Sequence, residues 1–140
     1  MMVLDTNVVS EWMRPVPSDE VIQWMTRQIP TELYLSTITE AELRFGVELL
    51  PAGRRRERLL TAIEITLGED FAGRILPFDS AAAQAYAVIA ASRRAAGMPV
   101  KHSDCQIAAI ARSRGLSVAT RNVRDFEGCG VDVINPWLSG

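Results

Sequence analysis

The feature that most constrains this chain is an alternation. Short apolar runs at Met2–Leu4, Leu33–Ser36, Ile75–Asp79, Ser117–Thr120 and Val131–Ile134 are separated by longer stretches with helical spacing. Such runs read as strands, and the stretches between them read as amphipathic helices. Strands joined through helices rather than tight turns predict a parallel sheet covered on both faces. The expected architecture is a three-layer α/β/α sandwich around four to five strands.

The helices announce their ends. Val8, Val9, Trp12 and Met13 share one face of a short helix that Pro15 and Pro17 break, and Ser18 starts the next with Asp19 and Glu20 in its first turn. Val21, Ile22, Trp24, Met25 and Ile29 form the apolar face of that second helix, and Pro30 ends it. Thr39–Leu50 reads as a helix opened by a Thr39-x-x-Glu42 capping box. Arg54–Leu67 follows after a Pro-Ala-Gly turn. Ser80 caps an alanine-rich helix ending near Gly97, and Ser103 caps another that Gly115 closes. Pro77 marks the third strand as short or as an edge.

With 140 residues and no internal repeat or linker, the chain reads as one domain over 1–140. No apolar run approaches the ~20 residues that span a bilayer, and the N-terminus lacks a signal-peptide layout, so a cytoplasmic protein without membrane contact is expected. Cys105 and Cys129 have no metal-ligand spacing. His102 is the only histidine. That excludes two-histidine acid–base chemistry within the chain and disfavours an ordinary zinc site, leaving the carboxylates to do any chemistry. The net charge of −2 does not advertise a nucleic-acid binder.

In a parallel sheet, ligands bind beyond the carboxyl ends of the strands. Asp5 follows the first strand directly. Glu42 lies in the first turn after the second, Asp104 opens the helix at Ser103, and Asn122 and Asp125 follow the strand that ends at Thr120. Each has a structural reading: an Asx turn for Asp5, the capping box for Glu42, a favourable helix dipole for Asp104, a turn cap for Asp125. Where the strands that carry them are neighbours they share one rim, repel and call for a cation. An all-oxygen, carboxylate-rich set favours Mg²⁺, with Mn²⁺ as a substitute, and such a site suits phosphodiester hydrolysis. Arg121 and Arg124 flank the rim as candidate substrate-binding groups. The basic run Arg54–Arg58 reads either as a solvated helix start or as a phosphate guide. Cys105 should rotate into the core. Trp12, Trp24 and Met25 are expected in the core or a dimer interface.

The segments "VLDTNVVSE", "ITEAELRFGVELL", "SDCQIAAIARSRGLSVATRNVRDF" and "INPW", in this order, resemble the PIN-domain ribonucleases. The likeness is to VapC-type toxins of type II toxin–antitoxin pairs, in the FitB-like branch. The resemblance implies a PIN-like α/β/α sandwich and a Mg²⁺- or Mn²⁺-dependent endoribonuclease with Asp5, Glu42 and Asp104 as metal ligands. Thr6 would help hold water or the scissile phosphate. Asn122 stands where some relatives carry an acid, and Asp125 is an accessory candidate for that role. A cognate VapB/FitA-like antitoxin inserting a segment into the active-site groove, a homodimer, a larger complex with the antitoxin, and operator DNA bound through the antitoxin are likewise implied. Two competing readings are a catalytically silent partner on the same scaffold within a DNA-binding regulatory complex, and a phosphoacceptor signalling module. The second would require an acidic pair after the first strand and a late lysine, whereas Asp5 is followed by Thr-Asn and the only lysine is Lys101.

Overall fold

The structure is a computed structural model and describes residues 1–138. Ser139 and Gly140, the end of the single unit read from the sequence, lie outside the described residues. Five parallel strands, β1 (Met2–Leu4), β2 (Leu33–Ser36), β3 (Ile75–Leu76), β4 (Ser117–Ala119) and β5 (Val133–Ile134), form one sheet in the order β3-β2-β1-β4-β5. Among the described residues six α-helices surround it: α1 (Thr6–Trp12), α2 (Asp19–Thr26), α3 (Thr37–Glu48), α4 (Arg54–Ile65), α5 (Ser80–Ala95) and α6 (His102–Ser113). A π-turn over Thr66–Asp70 extends α4. The α/β/α sandwich is as expected, with five strands.

Successive side chains of a strand point to opposite faces, and β1 illustrates the consequence. Val3 packs in a cluster with Ile89 of α5, Ile107 and Ile110 of α6 and Val118. Leu4 packs in a second cluster with Val8, Trp24, Leu35, Leu43 and Ile63, contributed by α1 to α4 and β2. Both residues are buried, so an uninterrupted apolar strand is what two covered faces require. Among the described residues no helix is long and apolar enough to cross a membrane.

Several element ends differ from the sequence reading. Ser36 rather than Thr39 caps α3, its Oγ accepting the Thr39 N–H at 3.1 Å, so the expected capping box does not form. Asp79 rather than Ser80 caps α5, accepting the Ala82 N–H at 2.9 Å; the carboxylate one residue earlier takes the free amide. α6 starts at His102, with Ser103 inside its first turn and no side-chain cap. The third strand stops at Leu76, before Pro77, and is an edge. α2 ends at Thr26, which leaves Ile29 exposed, and Trp12 stays partly exposed while Trp24 is core. Gly115 has φ +69°, the left-handed value expected of a helix terminator.

Candidate active site

Strand order runs outward from β1 through β2 to β3 on one side, and through β4 to β5 on the other. The crevice beyond the carboxyl ends of β1 and β4 is therefore the topological switch point where such sheets bind ligands. Asp5 leaves β1 there, and Thr120 leaves β4. The Asp5 N–H donates to Ala119 O at 2.8 Å, joining the two strand ends.

Asp5 is buried, 4 % exposed, and both its oxygens are engaged. Oδ1 accepts the Thr6 N–H at 2.8 Å, which makes Asp5 the N-cap of α1. Oδ2 accepts from the Thr120 hydroxyl at 2.7 Å and from the Asn7 amide at 3.2 Å. Burial raises its pKa above the usual aspartate value. The Thr120 and Thr6 hydrogen bonds oppose that rise, and the charges of Glu42 and Asp125 add to it. The Asx turn read from the sequence does not form, since the backbone donor is Thr6, one residue on, rather than Asn7; Asp5 caps α1 instead and places a carboxylate at the switch point at the same time.

Glu42 reaches the same corner. The Thr6 hydroxyl donates to its Oε1 at 2.7 Å and lies 3.0 Å from the Thr39 hydroxyl. Asp104, half-buried in the first turn of α6, feels the charges of Asp5, Asp125 and Glu42. Its pKa is pushed up to about 6, chiefly by burial, then by Asp5 and Asp125; Lys101 pulls it down and Glu42 adds a smaller push. Among the described residues nothing hydrogen-bonds its carboxylate.

The four acids Asp5, Glu42, Asp104 and Asp125 thus act on one another across one crevice. None of the ion pairs among the described residues involves any of them. The donor set is oxygen only and short of positive charge, which fits a hard divalent cation. Among the described residues, no group of three or more His, Cys, Asp or Glu side chains is gathered tightly enough to form a finished cage. In chemistry and charge the set fits such a cation.

A family model described as PIN domain matches residues 2–128. The chain belongs to the PIN-domain family. It is 48% identical over 137 residues to the plasmid stability protein StbB of Pseudomonas syringae pv. tomato, covering 98% of this chain and 99% of the relative. It is 44% identical to the VapC ribonuclease Y4jK of Sinorhizobium fredii, covering 98% of each, and 44% identical to the toxin FitB of Neisseria gonorrhoeae, covering 98% of this chain and 99% of the relative. The structure of FitAB bound to an IR36 DNA fragment superposes with a TM-score of 0.93 at 41% identity, over all of this chain and 98% of that one.

The remaining candidate residues of this PIN domain fall less centrally. Asn122 is exposed; its N–H donates to the Thr120 hydroxyl at 3.0 Å, and it opens the 3-10 turn Val123–Phe126 that carries Asp125. The Arg121 N–H donates to Asn7 Oδ1 at 3.1 Å, but its guanidinium lies 5.0 Å from the centre of the Trp137 ring, directed to the tail and away from the acids. Arg124 is exposed. In the basic run, Arg56 pairs with Glu48 at 3.0 Å, while Arg55 and Arg58 line an apolar groove of about 590 Å³ that opens on Thr6 and Glu42. Cys105 and Cys129 are buried, and burial raises the Cys105 thiol to about 11.

Sequence reading missed Asn7 and Thr120, the two side chains that anchor Asp5. Asn7 was visible in the "DTN" triplet. Thr120 had no comparable signal, because only the pairing of β1 with β4 brings it beside a residue 115 positions away.

Proposed function

We propose that this PIN domain is the toxin of a type II toxin–antitoxin pair, a Mg²⁺-dependent endoribonuclease acting in the cytoplasm and neutralised by a cognate VapB/FitA-like antitoxin. One observation carries the reading: four mutually repelling carboxylates at the switch-point crevice with no basic side chain paired to any of them. The similarity to proteins named ribonuclease and toxin supports it.

Asp5, Asp104 and Glu42 would hold Mg²⁺, or Mn²⁺ in its place, with Asp125 as an accessory. A cation so held supplies a lowered pKa for the attacking water and offsets charge on the phosphoryl oxygens. The water oxygen forms the new bond to phosphorus as the RNA P–O bond breaks, and the leaving oxygen takes up a proton. Glu42 acts as a ligand or as orienter of the water, whose proton passes to solvent. The Thr6 hydroxyl, now spent on Glu42, turns to the scissile phosphate. The Asn122 amide orients water or donates to phosphate without adding charge. Arg124 holds a flanking phosphate as a bidentate donor, and Arg121 does so once its guanidinium leaves the Trp137 ring. The apolar groove beside Thr6 and Glu42 suits an inserted antitoxin segment. A homodimer, a larger antitoxin complex and operator DNA bound through the antitoxin belong to the same reading, and a related assembly carries DNA.

Induced expression alone, and together with the antitoxin, tests it. Growth arrest that the antitoxin relieves and Asp5→Ala abolishes is the expected result. Purified chain should cleave RNA in Mg²⁺ and stop in EDTA. If Asp5→Ala or Asp104→Ala cleaves like the parent, the site lies elsewhere. A chain that binds antitoxin but cleaves no RNA would favour the catalytically silent partner.

A further inference from the structure

α5 ends in a buried charge. Arg93, in its last turn, is 7 % exposed, and among the described residues no carboxylate forms an ion pair with it. The thiols that feel its charge, Cys105 and Cys129, are kept protonated by burial and bring no counter-charge. A buried guanidinium so placed is costly unless its donors are used. Two of its nitrogens donate to main-chain carbonyls: Nε to Met98 O at 2.7 Å, and Nη1 to Glu127 O and, at 3.5 Å, to Arg124 O, while Cys129 takes a side-chain hydrogen bond from the same group. The backbone ties the same knot. Met98 N–H donates to Arg93 O at 2.9 Å and Gly97 N–H to Arg94 O at 3.0 Å, with Gly97 at φ +72°, which is a Schellman cap.

The clamped segments both lead to the crevice. Met98 begins the link that enters α6 and delivers Asp104. Arg124 and Glu127 bracket Asp125 in the turn after β4. We propose that Arg93 is a positioning residue: its planar fork ties the segments carrying Asp104 and Asp125 together and sets the separation of those two carboxylates. The role rests on the RNA-hydrolase reading above. Arg74 supplies the contrast. It too donates to carbonyls, Leu33 O at 2.9 Å and Asp70 O at 2.6 Å, but at the amino end of edge strand β3, away from the acids.

The test compares Arg93→Met with Arg74→Met in the full chain. Amide exchange reads the clamp whether or not the chain cleaves RNA. Arg93→Met should speed exchange in both segments 98–104 and 122–128, and Arg74→Met in neither; unchanged exchange in either segment overturns the clamp. Where the parent cleaves RNA, both variants should lower Tm. Arg93→Met alone should lower kcat, on the order of tenfold to a hundredfold for a displaced group, with KM little changed. Adding Asp125→Ala to it should cost less than the same substitution costs the parent, because the loop is already released. Equal kcat for the two methionine variants well below their Tm, or losses that multiply, would overturn the positioning role. If Arg93→Met does not fold, Arg93→Lys carries the same expectations, since one ammonium cannot span both segments as the fork does.

Discussion

Asp5 and Asp104 face the same crevice and are held in opposite ways. Asp5 is buried at a strand end with three donors on its two oxygens, two of them from Thr6 and Asn7 on α1 and one from Thr120 beyond β4. Asp104 stands half-buried on a helix with no donor, and its ionisation is governed by burial and by the other acids. Hydrogen bonds that favour the charged form keep a carboxylate in place whatever is bound; a carboxylate without them answers to its neighbours. One corner of the site is built rigid, and the other is free to respond to charge.

The strongest way to break that contrast is to loosen the rigid corner. Thr120→Val leaves Asp5 Oδ2 with only Asn7 and deprives the Asn122 N–H of its acceptor. Cleavage of a defined RNA should fall about tenfold to a hundredfold, the usual cost of removing a group that orients a ligand. Urea unfolding should show a loss of about 1–3 kcal/mol from the unsatisfied groups. Full activity in this variant would mean that rigidity at Asp5 does not matter.

The responsive corner is tested by pH. The Asp104 pKa rises from 3.8 to about 6 on folding, so the native state holds that proton more tightly than the unfolded chain. In EDTA its contribution favours folding at low pH, declines as pH climbs from about 4 to about 6, and is gone above that. Asp104→Asn should flatten this slope and stabilise the EDTA-treated chain near neutral pH. Mg²⁺ should raise the parent's Tm more near pH 7 than near pH 5, since ligand binding to the native state stabilises it most where the ligands are ionised. A stability difference between Asp104→Asn and the parent that does not change with pH across that window in EDTA would contradict the assignment.

The arginines give the smallest effects and sharpen the contrast on the substrate side. Arg121 is tethered to Asn7 beside the rigid corner, whereas Arg124 sits on the turn with Asp125. Each alanine variant should raise KM a few-fold and reduce the slope of log affinity against log salt by about 0.7, the value per phosphate on single strands. A variant that leaves the slope unchanged does not touch the RNA backbone.

The sandwich was legible because short apolar runs and period-3.6 patterns are local, and consecutive buried residues such as Val3 and Leu4 already require two covered faces. The candidate acids were legible because each sits directly after a strand or in the first turn of a helix. The helix caps were misplaced by one to three residues at Ser36 and Asp79. Neighbouring polar residues all make acceptable caps, and the choice depends on where the backbone leaves the extended region. Glu42 was likewise given a local partner, Thr39, when its hydrogen bond goes to Thr6, 36 positions away.

By itself the sequence determined the alternation, the two buried faces, the acidic character of the chemistry and the lone corner at Asn122 where a carboxylate is absent. Strand order was decided only in three dimensions, because nothing local says that β4 pairs with β1 rather than with β3. From that pairing follow the Thr120 anchor on Asp5 and the place of the Asp5 charge, which adds to the burial that chiefly raises Asp104. The carbonyl clamp of Arg93 follows from the packing of α5 against α6 and the turn beyond β4. Hydrogen bonds and charges act through space over a few ångströms, and chain positions far apart come within that range only when the sheet closes.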